Sequence, residues 1–306
     1  MTNETTSEVY NEVIKHPWSK GYLLRKKVEP YFYGFITGKN NKTITKIIQN
    51  HKVRIELPDE LSGKLYYSIT GMKKDKIQGA SDEMDKIIKW AIPRLNWTHF
   101  VSIPLLTKKM RNSMKSFQKS IHSTVSVADG FSEEIMQSPY KFHLTILMMK
   151  LYKEEQRDKA IEILKQVKID GSEGVLNSEI TIKSLSTFPE NDFENCQVMY
   201  AQVQQDETFK KIHRLHLLLI EKFQQAGIEV DTNPLTLHAT LMNYRYKIQK
   251  NNQKKQNSIN FSKLKENNEF LNYNFGTQII NQIHLSTLGK YHKSGFYMPH
   301  YMITNK

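Results

Sequence analysis

Two short segments carry residue types suited to moving protons at phosphorus. Phe142-His143-Leu144-Thr145-Ile146 and Leu237-His238-Ala239-Thr240-Leu241 repeat one pattern of apolar, His, apolar, Thr, apolar. On a β-strand, side chains alternate between faces, so each segment presents an imidazole and a hydroxyl together and anchors its apolar residues on the opposite side. Histidine titrates near neutral pH. One imidazole can therefore take a proton from an attacking hydroxyl or water while the other protonates the departing oxygen, each contribution being worth roughly 10² to 10⁴ in rate. Thr145 and Thr240 can donate hydrogen bonds to the non-bridging phosphate oxygens. A single His-x-Thr segment is ordinary strand sequence with a structural histidine. Two copies in matching apolar frames point to one shared phosphodiester site, catalytic residues His143, Thr145, His238 and Thr240.

The elements that must position these groups follow from periodicity. Residues 21 to 92 read as strand, short helix, helix, strand, strand, helix. Lys52 to Leu57 alternates at period two until Pro58, Lys64 to Thr70 does so until Gly71, and Ile44, Ile47 and Ile48 fall at helical spacing, as do Met84, Ile87, Ile88 and Ala91. Residues 95 to 306 form a second region, with helical patterns at Lys108 to Ile121, Lys153 to Val167 and Thr208 to Ala226. Its strand candidates are Trp97 to Pro104, Phe142 to Met149, Glu179 to Leu185, Gln197 to Val203, Leu235 to Asn243, Gln278 to Ser286 and Gly295 to Ile303. Residues 1 to 20 are an N-terminal extension, and 247 to 260, rich in Lys, Asn and Gln, read as a mobile surface insertion. Interleaved helices and strands indicate an α/β or α+β protein.

The two His-x-Thr strands resemble those of the two-histidine phosphoesterases. Together with Ile36-Thr37-Gly38-Lys39, Thr98-His99-Phe100, Val198-Met199-Tyr200-Ala201, Phe223-Gln224-Gln225-Ala226-Gly227-Ile228 and Leu237 to Asn243, they give the chain a likeness to the family of activating signal cointegrator 1 complex subunit 1. There an A-kinase-anchor-protein-like two-histidine domain follows a KH domain. The resemblance implies an N-terminal KH-like domain followed by a bilobal phosphoesterase fold with pseudo-twofold symmetry. It also implies metal-independent chemistry on RNA-like phosphodiesters, and partners that include RNA or single-stranded nucleic acid and the helicase and other subunits of the cointegrator complex. An aromatic near the C-terminus often lies beside the nucleotide in this family, which makes Tyr297 a candidate for substrate binding.

In a KH module a Gly-x-x-Gly loop between two helices clamps the nucleic-acid backbone. The matching residues are Gly38, Lys39, Asn40 and Asn41, followed by Lys42. Asparagine replaces the second glycine. Asn41 tolerates the left-handed turn better than most residues, but its side chain stands where a phosphate approaches.

The chain of 306 residues has 44 Lys and Arg against 31 Asp and Glu, a net +13, which raises the prior for a polyanionic partner. Its one cysteine excludes an internal disulfide framework and a cysteine zinc cluster. With no apolar leader at the start and no long apolar run, a nuclear or cytosolic protein is expected. No cofactor or metal is expected. His213 and His216 lack acidic partners at ligand spacing, and His99 and His284 are assigned to packing. The competing reading is a noncatalytic RNA-binding adaptor that uses the same cleft.

Overall fold

The computed structural model describes residues 10–58, 66–125, 131–167, 174–246 and 258–304. Most of the insertion expected at 247 to 260 lies outside these residues, as do the first nine positions of the N-terminal extension and the start of the strand expected at Lys64. The chain divides into two compact units, Met1–Asn96 and Trp97–Lys306.

In the first unit β1 (Tyr10–Lys15), β2 (Tyr22–Lys27), β3 (Arg54–Glu56) and β4 (Tyr66–Gly71) form an antiparallel sheet in the order β1-β2-β4-β3. From β2 onward the order is strand, α1 (Tyr33–Thr37), α2 (Lys42–His51), strand, strand, α3 (Lys74–Ala91), as the periodicity predicts. Part of the extension, Tyr10–Lys15, adds an edge strand. Leu24, Ile36, Ile47, Ile69, Ile77 and Met84 are all wholly buried and come from strands and helices alike. This is a complete core, each such side chain contributing about 1.5–3 kcal/mol of burial.

Among the described residues, the second unit is built on one nine-stranded sheet. Its strands are β5 (His99–Pro104), β6 (His143–Lys150), β7 (Glu179–Phe188), β8 (Val198–Val203), β9 (Glu229–Val230), β10 (His238–Asn243), β11 (Asn274–Ile279), β12 (Gln282–Tyr291) and β13 (Tyr297–Thr304). The order is β11-β7-β8-β10-β6-β5-β12-β13, with β9 against β6. The order reads as two four-strand halves meeting at β10 and β6. Each half carries a strand-helix-strand unit, β5 to α4 (Lys108–Thr124) to β6 and β8 to α6 (Glu207–Gln225) to β10. This is the bilobal, pseudo-twofold α+β fold the resemblance implies. One expectation fails: Gln278 to Ser286 is two strands, not one. The chain leaves the β7 edge after Ile279 and enters the other half as β12, and the break at Ile280-Asn281 has neither Gly nor Pro to announce it.

The helices cover the apolar face. Leu144, Ile146, Ala239 and Leu241 share one core with Met110, Met114 and Phe117 of α4 and with Ile212, Leu219 and Phe223 of α6. A one-residue slip of β6 or β10 would put a histidine into that core and a leucine into solvent, so burial fixes the register on which the site depends. α5 (Glu154–Gln166) adds Ala160 and Leu164 to the same core. Cys196 is buried in an isolated bridge to Ile259, and burial pushes its thiol up to about 12.

Candidate active site

β6 and β10 are antiparallel neighbours in register at Leu144 opposite Ala239. That register sets Thr240 across from His143 and His238 across from Thr145, so each imidazole has the other segment's threonine beside it. In both strands the His and Thr are half-buried and the residues between and after them are buried. Each strand also carries an extra residue immediately after its threonine, Ile146 against β5 and Leu241 against β8. Such bulges redirect side chains and free a backbone group. The His216 Nδ1–H of α6 donates to the Ile146 carbonyl at 2.8 Å.

Both rings are held in one tautomer by the same device. His143 Nδ1 lies 2.7 Å from the Lys141 carbonyl and His238 Nδ1 lies 2.7 Å from the Thr236 carbonyl. A carbonyl can only accept, so Nδ1 carries the hydrogen in each. Nε2 is then the nitrogen that gains and loses a proton. Thr145 Oγ1 is 3.2 Å from His143 Nε2, and its hydroxyl donates to that lone pair. Burial pulls His143 down to about 4, against the opposing effect of the Lys141 carbonyl, and a charge on His238 depresses it further. Burial also lowers His238, with the Thr236 carbonyl working the other way. Both imidazoles are thus shifted toward the neutral form, and an anion between them favours protonation of one.

Aromatic rings wall each histidine. His143 lies 5.3 Å from Phe100, 6.2 Å from Phe296 and 5.2 Å from Tyr297. His238 lies 5.1 Å from Phe188 and 5.2 Å from Tyr200. Tyr297, singled out in the sequence, therefore does reach the histidine pair, packed edge-on against Phe100 at 4.9 Å. Burial raises its hydroxyl well above the usual range, with Tyr246 and Tyr291 adding to this and a hydrogen bond with Gln137 opposing it. A cavity of about 250 Å³ beside the pair is lined by Thr145, His238, Phe188, Asp231 and Asn233.

The KH-like loop belongs to the first unit. Gly38 takes φ 66°, ψ 176°, and a Cβ there would sit 2.1 Å from Thr43 Oγ1. Asn40 and Asn41 both adopt positive φ, 54° and 60°. Asparagine thus keeps the turn that a second glycine would make. Lys39, Asn40, Asn41 and Lys42 are all exposed.

Several contributors are not visible in the motifs. The carbonyls of Lys141 and Thr236 have no sequence signature, and Phe188 reaches the site only because β7 folds onto this sheet. Phe100 and Tyr200 lie within segments that the sequence singles out, though not for this role, and Phe296 precedes Tyr297. His99, expected to pack, is buried with its Nδ1 2.9 Å from Thr98 Oγ1, and His284 is buried against Phe296 at 5.5 Å. Among the described residues, no three His, Cys, Asp or Glu side chains gather as a metal-holding group.

Comparison with known proteins gives two family matches. Residues 97–304 match the AKAP7 2′5′ RNA ligase-like domain and residues 24–86 match the KH domain. The chain is 27% identical over 292 residues to activating signal cointegrator 1 complex subunit 1 of Mus musculus, covering 90% of this chain and 81% of that protein. Among solved structures it is similar to E. coli LigT complexed with 3′-AMP, at 12% identity and TM-score 0.46, over 68% of this chain and 97% of that one. It is also similar to TT0787 of Thermus thermophilus, at 13% identity and TM-score 0.45, again over 68% and 97%.

Proposed function

Since the chain belongs to the AKAP7 2′5′ RNA ligase-like domain family and has a KH domain ahead of that domain, we propose that it is a phosphodiesterase acting on RNA-like phosphodiesters without a metal. The observation that carries this reading is the pair of imidazoles on adjacent strands, each with Nδ1 committed to a carbonyl and Nε2 left to exchange a proton. One Nε2 takes the proton of the attacking hydroxyl or water. The other, protonated once the anion is bound, delivers its proton to the leaving oxygen. Thr145 turns its hydroxyl from the His143 ring to a non-bridging oxygen, Thr240 offers its own to another, and Phe100, Phe188, Tyr200 and Tyr297 keep bulk water from the pair.

The KH domain supports RNA as the substrate class, with Lys39 and Lys42 meeting phosphates at the loop. Likeness to the mouse cointegrator subunit supports a place in a complex of that kind, and we extend the proposal to a helicase partner, a transcription or repair role and a nuclear location, with the cytoplasm as the second compartment to examine. Affinity capture of the tagged chain from nuclear and cytoplasmic extracts, with helicase subunits identified by mass spectrometry, tests that placement, and recovery of no helicase from either sinks it.

The chemistry is tested by incubating the full chain, with chelator, against short RNAs bearing 3′-terminal, 2′,5′-linked or 2′,3′-cyclic phosphodiesters. His143→Ala and His238→Ala should each lower turnover by roughly 10² to 10⁴, and the double variant should lose little more than either single one. RNA binding without turnover on every substrate would instead make the protein an adaptor.

A further inference from the structure

The histidine pair accounts for the cleaved linkage but not for a concentration of cations and exposed rings along α4 and the segment that leads into β6. α4 carries Lys108, Lys109, Arg111, Lys115 and Lys119 and not one Asp or Glu. Its buried face is Met110, Met114, Phe117 and Ile121. Lys108, Arg111, Lys115 and Lys119 recur at intervals of three or four residues and so line one side of the helix. The stripe is about 17 Å long at 1.5 Å per residue, room for several phosphates. None of these cations has a carboxylate partner among the described ion pairs.

The stripe is joined to the site by aromatic rings. Arg111 and Lys115 both lie over the ring of Tyr140, each 5.4 Å from its centroid, and Tyr140 is 42% exposed. Tyr140 packs against the turn between β12 and β13, where a Cβ on Gly295 would be 3.1 Å from it. That hairpin carries Tyr291, 47% exposed, with Lys141 Nζ 3.5 Å from its ring centroid. Tyr291 in turn lies 5.4 Å from Tyr297, which touches His143. Cation–π pairs occur roughly once per 70–80 residues, so three cations on two neighbouring rings are a local excess. Alternating cations and open rings suit a strand whose bases are free to stack, which a duplex does not offer.

We propose that single-stranded RNA held at the histidine pair continues past Tyr291 and Tyr140 onto α4, where Lys108, Arg111, Lys115 and Lys119 bind its phosphates. The proposal rests on the phosphodiesterase reading for the strand's starting point, and its test is one of binding rather than turnover. Affinities of the full chain are measured for an uncleavable phosphorothioate 12-mer, the matching dinucleotide and a 12-base-pair RNA duplex over a salt series. The Lys39→Glu/Lys42→Glu background is included so that the KH loop cannot mask the effect.

Arg111→Glu/Lys115→Glu should cut the 12-mer's advantage over the dinucleotide at least tenfold and flatten its salt dependence by about 1.4 in slope, near 0.7 per lost contact. Tyr140→Ala/Tyr291→Ala should reduce the same advantage without changing the slope. Arg111→Gln/Lys115→Gln, which leaves the helix its long side chains, should give the same direction of change. An unaltered length advantage and slope in the glutamate and glutamine variants overturns the track, as does tighter binding of the duplex than of the 12-mer. Wild-type protein that binds the 12-mer in this way but turns over no substrate would retire the phosphodiesterase and leave the track in place.

Discussion

At the scale of single residues, the decisive fact is that each catalytic candidate has one nitrogen fixed and one at liberty. Burial holds His143 near 4 and lowers His238, so both rings are biased toward the form with no proton on Nε2. A bound phosphodiester anion reverses that preference for one ring. Binding therefore takes up a proton between the low value of the free ring and the higher value of the occupied one. It follows that the affinity for a phosphorothioate dinucleotide tightens as pH falls from 8 toward 5, by up to about tenfold per pH unit where one full proton is taken up. Calorimetry in buffers of different ionisation enthalpy measures that uptake directly. Affinity independent of pH across this range would mean that the rings do not meet the phosphate. The histidines and threonines were legible because period-two alternation exposes them. The carbonyls that choose their tautomer were not, because every residue has one.

Elements set what the residues can reach. The loop from Gly38 to Lys42 keeps the KH turn with one glycine, because asparagine supplies the left-handed conformation at Asn40 and Asn41. Gly38 has no such substitute. Gly38→Ala drives a methyl into Thr43 at the start of α2 and should cost about 1–3 kcal/mol by denaturant unfolding, whereas Asn41→Gly should be nearly neutral. Lys39→Glu with Lys42→Glu should weaken RNA binding and flatten its salt dependence, and unchanged affinity would turn this unit into a protein-docking module. The missing second glycine was plain in the sequence, and so was the asparagine that replaces it. The bulges at Ile146 and Leu241 were not, since a bulge depends on the partner strand, and neither was the break that separates β11 from β12.

For the whole molecule, the second unit stores histidines in a form that acid can attack. His99 is held at about 3 and His143 and His284 at about 4, burial being the first cause in each. Their unfolded value is near 6.5, so the unfolded chain binds more protons in between. Their contribution to stability is then flat above about 6.5 and falls as pH drops from there toward 4, by on the order of 1 kcal/mol per pH unit for each ring. Urea titrations from pH 8 to pH 4 should show this loss, and the triple variant with glutamine at all three positions should show less of it. The two-lobed architecture could be anticipated from the paired motifs. Its strand order could not, because which strands neighbour one another is a property of the packed sheet and not of any segment.

The near-symmetry about Leu144 and Ala239 gives microscopic reversibility a tangible form. Under the proposed mechanism, the ring that accepts a proton when the bond breaks returns it when the bond is remade, and its counterpart does the opposite. Nothing in the two antiparallel strands themselves supplies an arrow. Whether linkages are opened or sealed is left to the unlike walls of the two half-sites and to whichever product departs first.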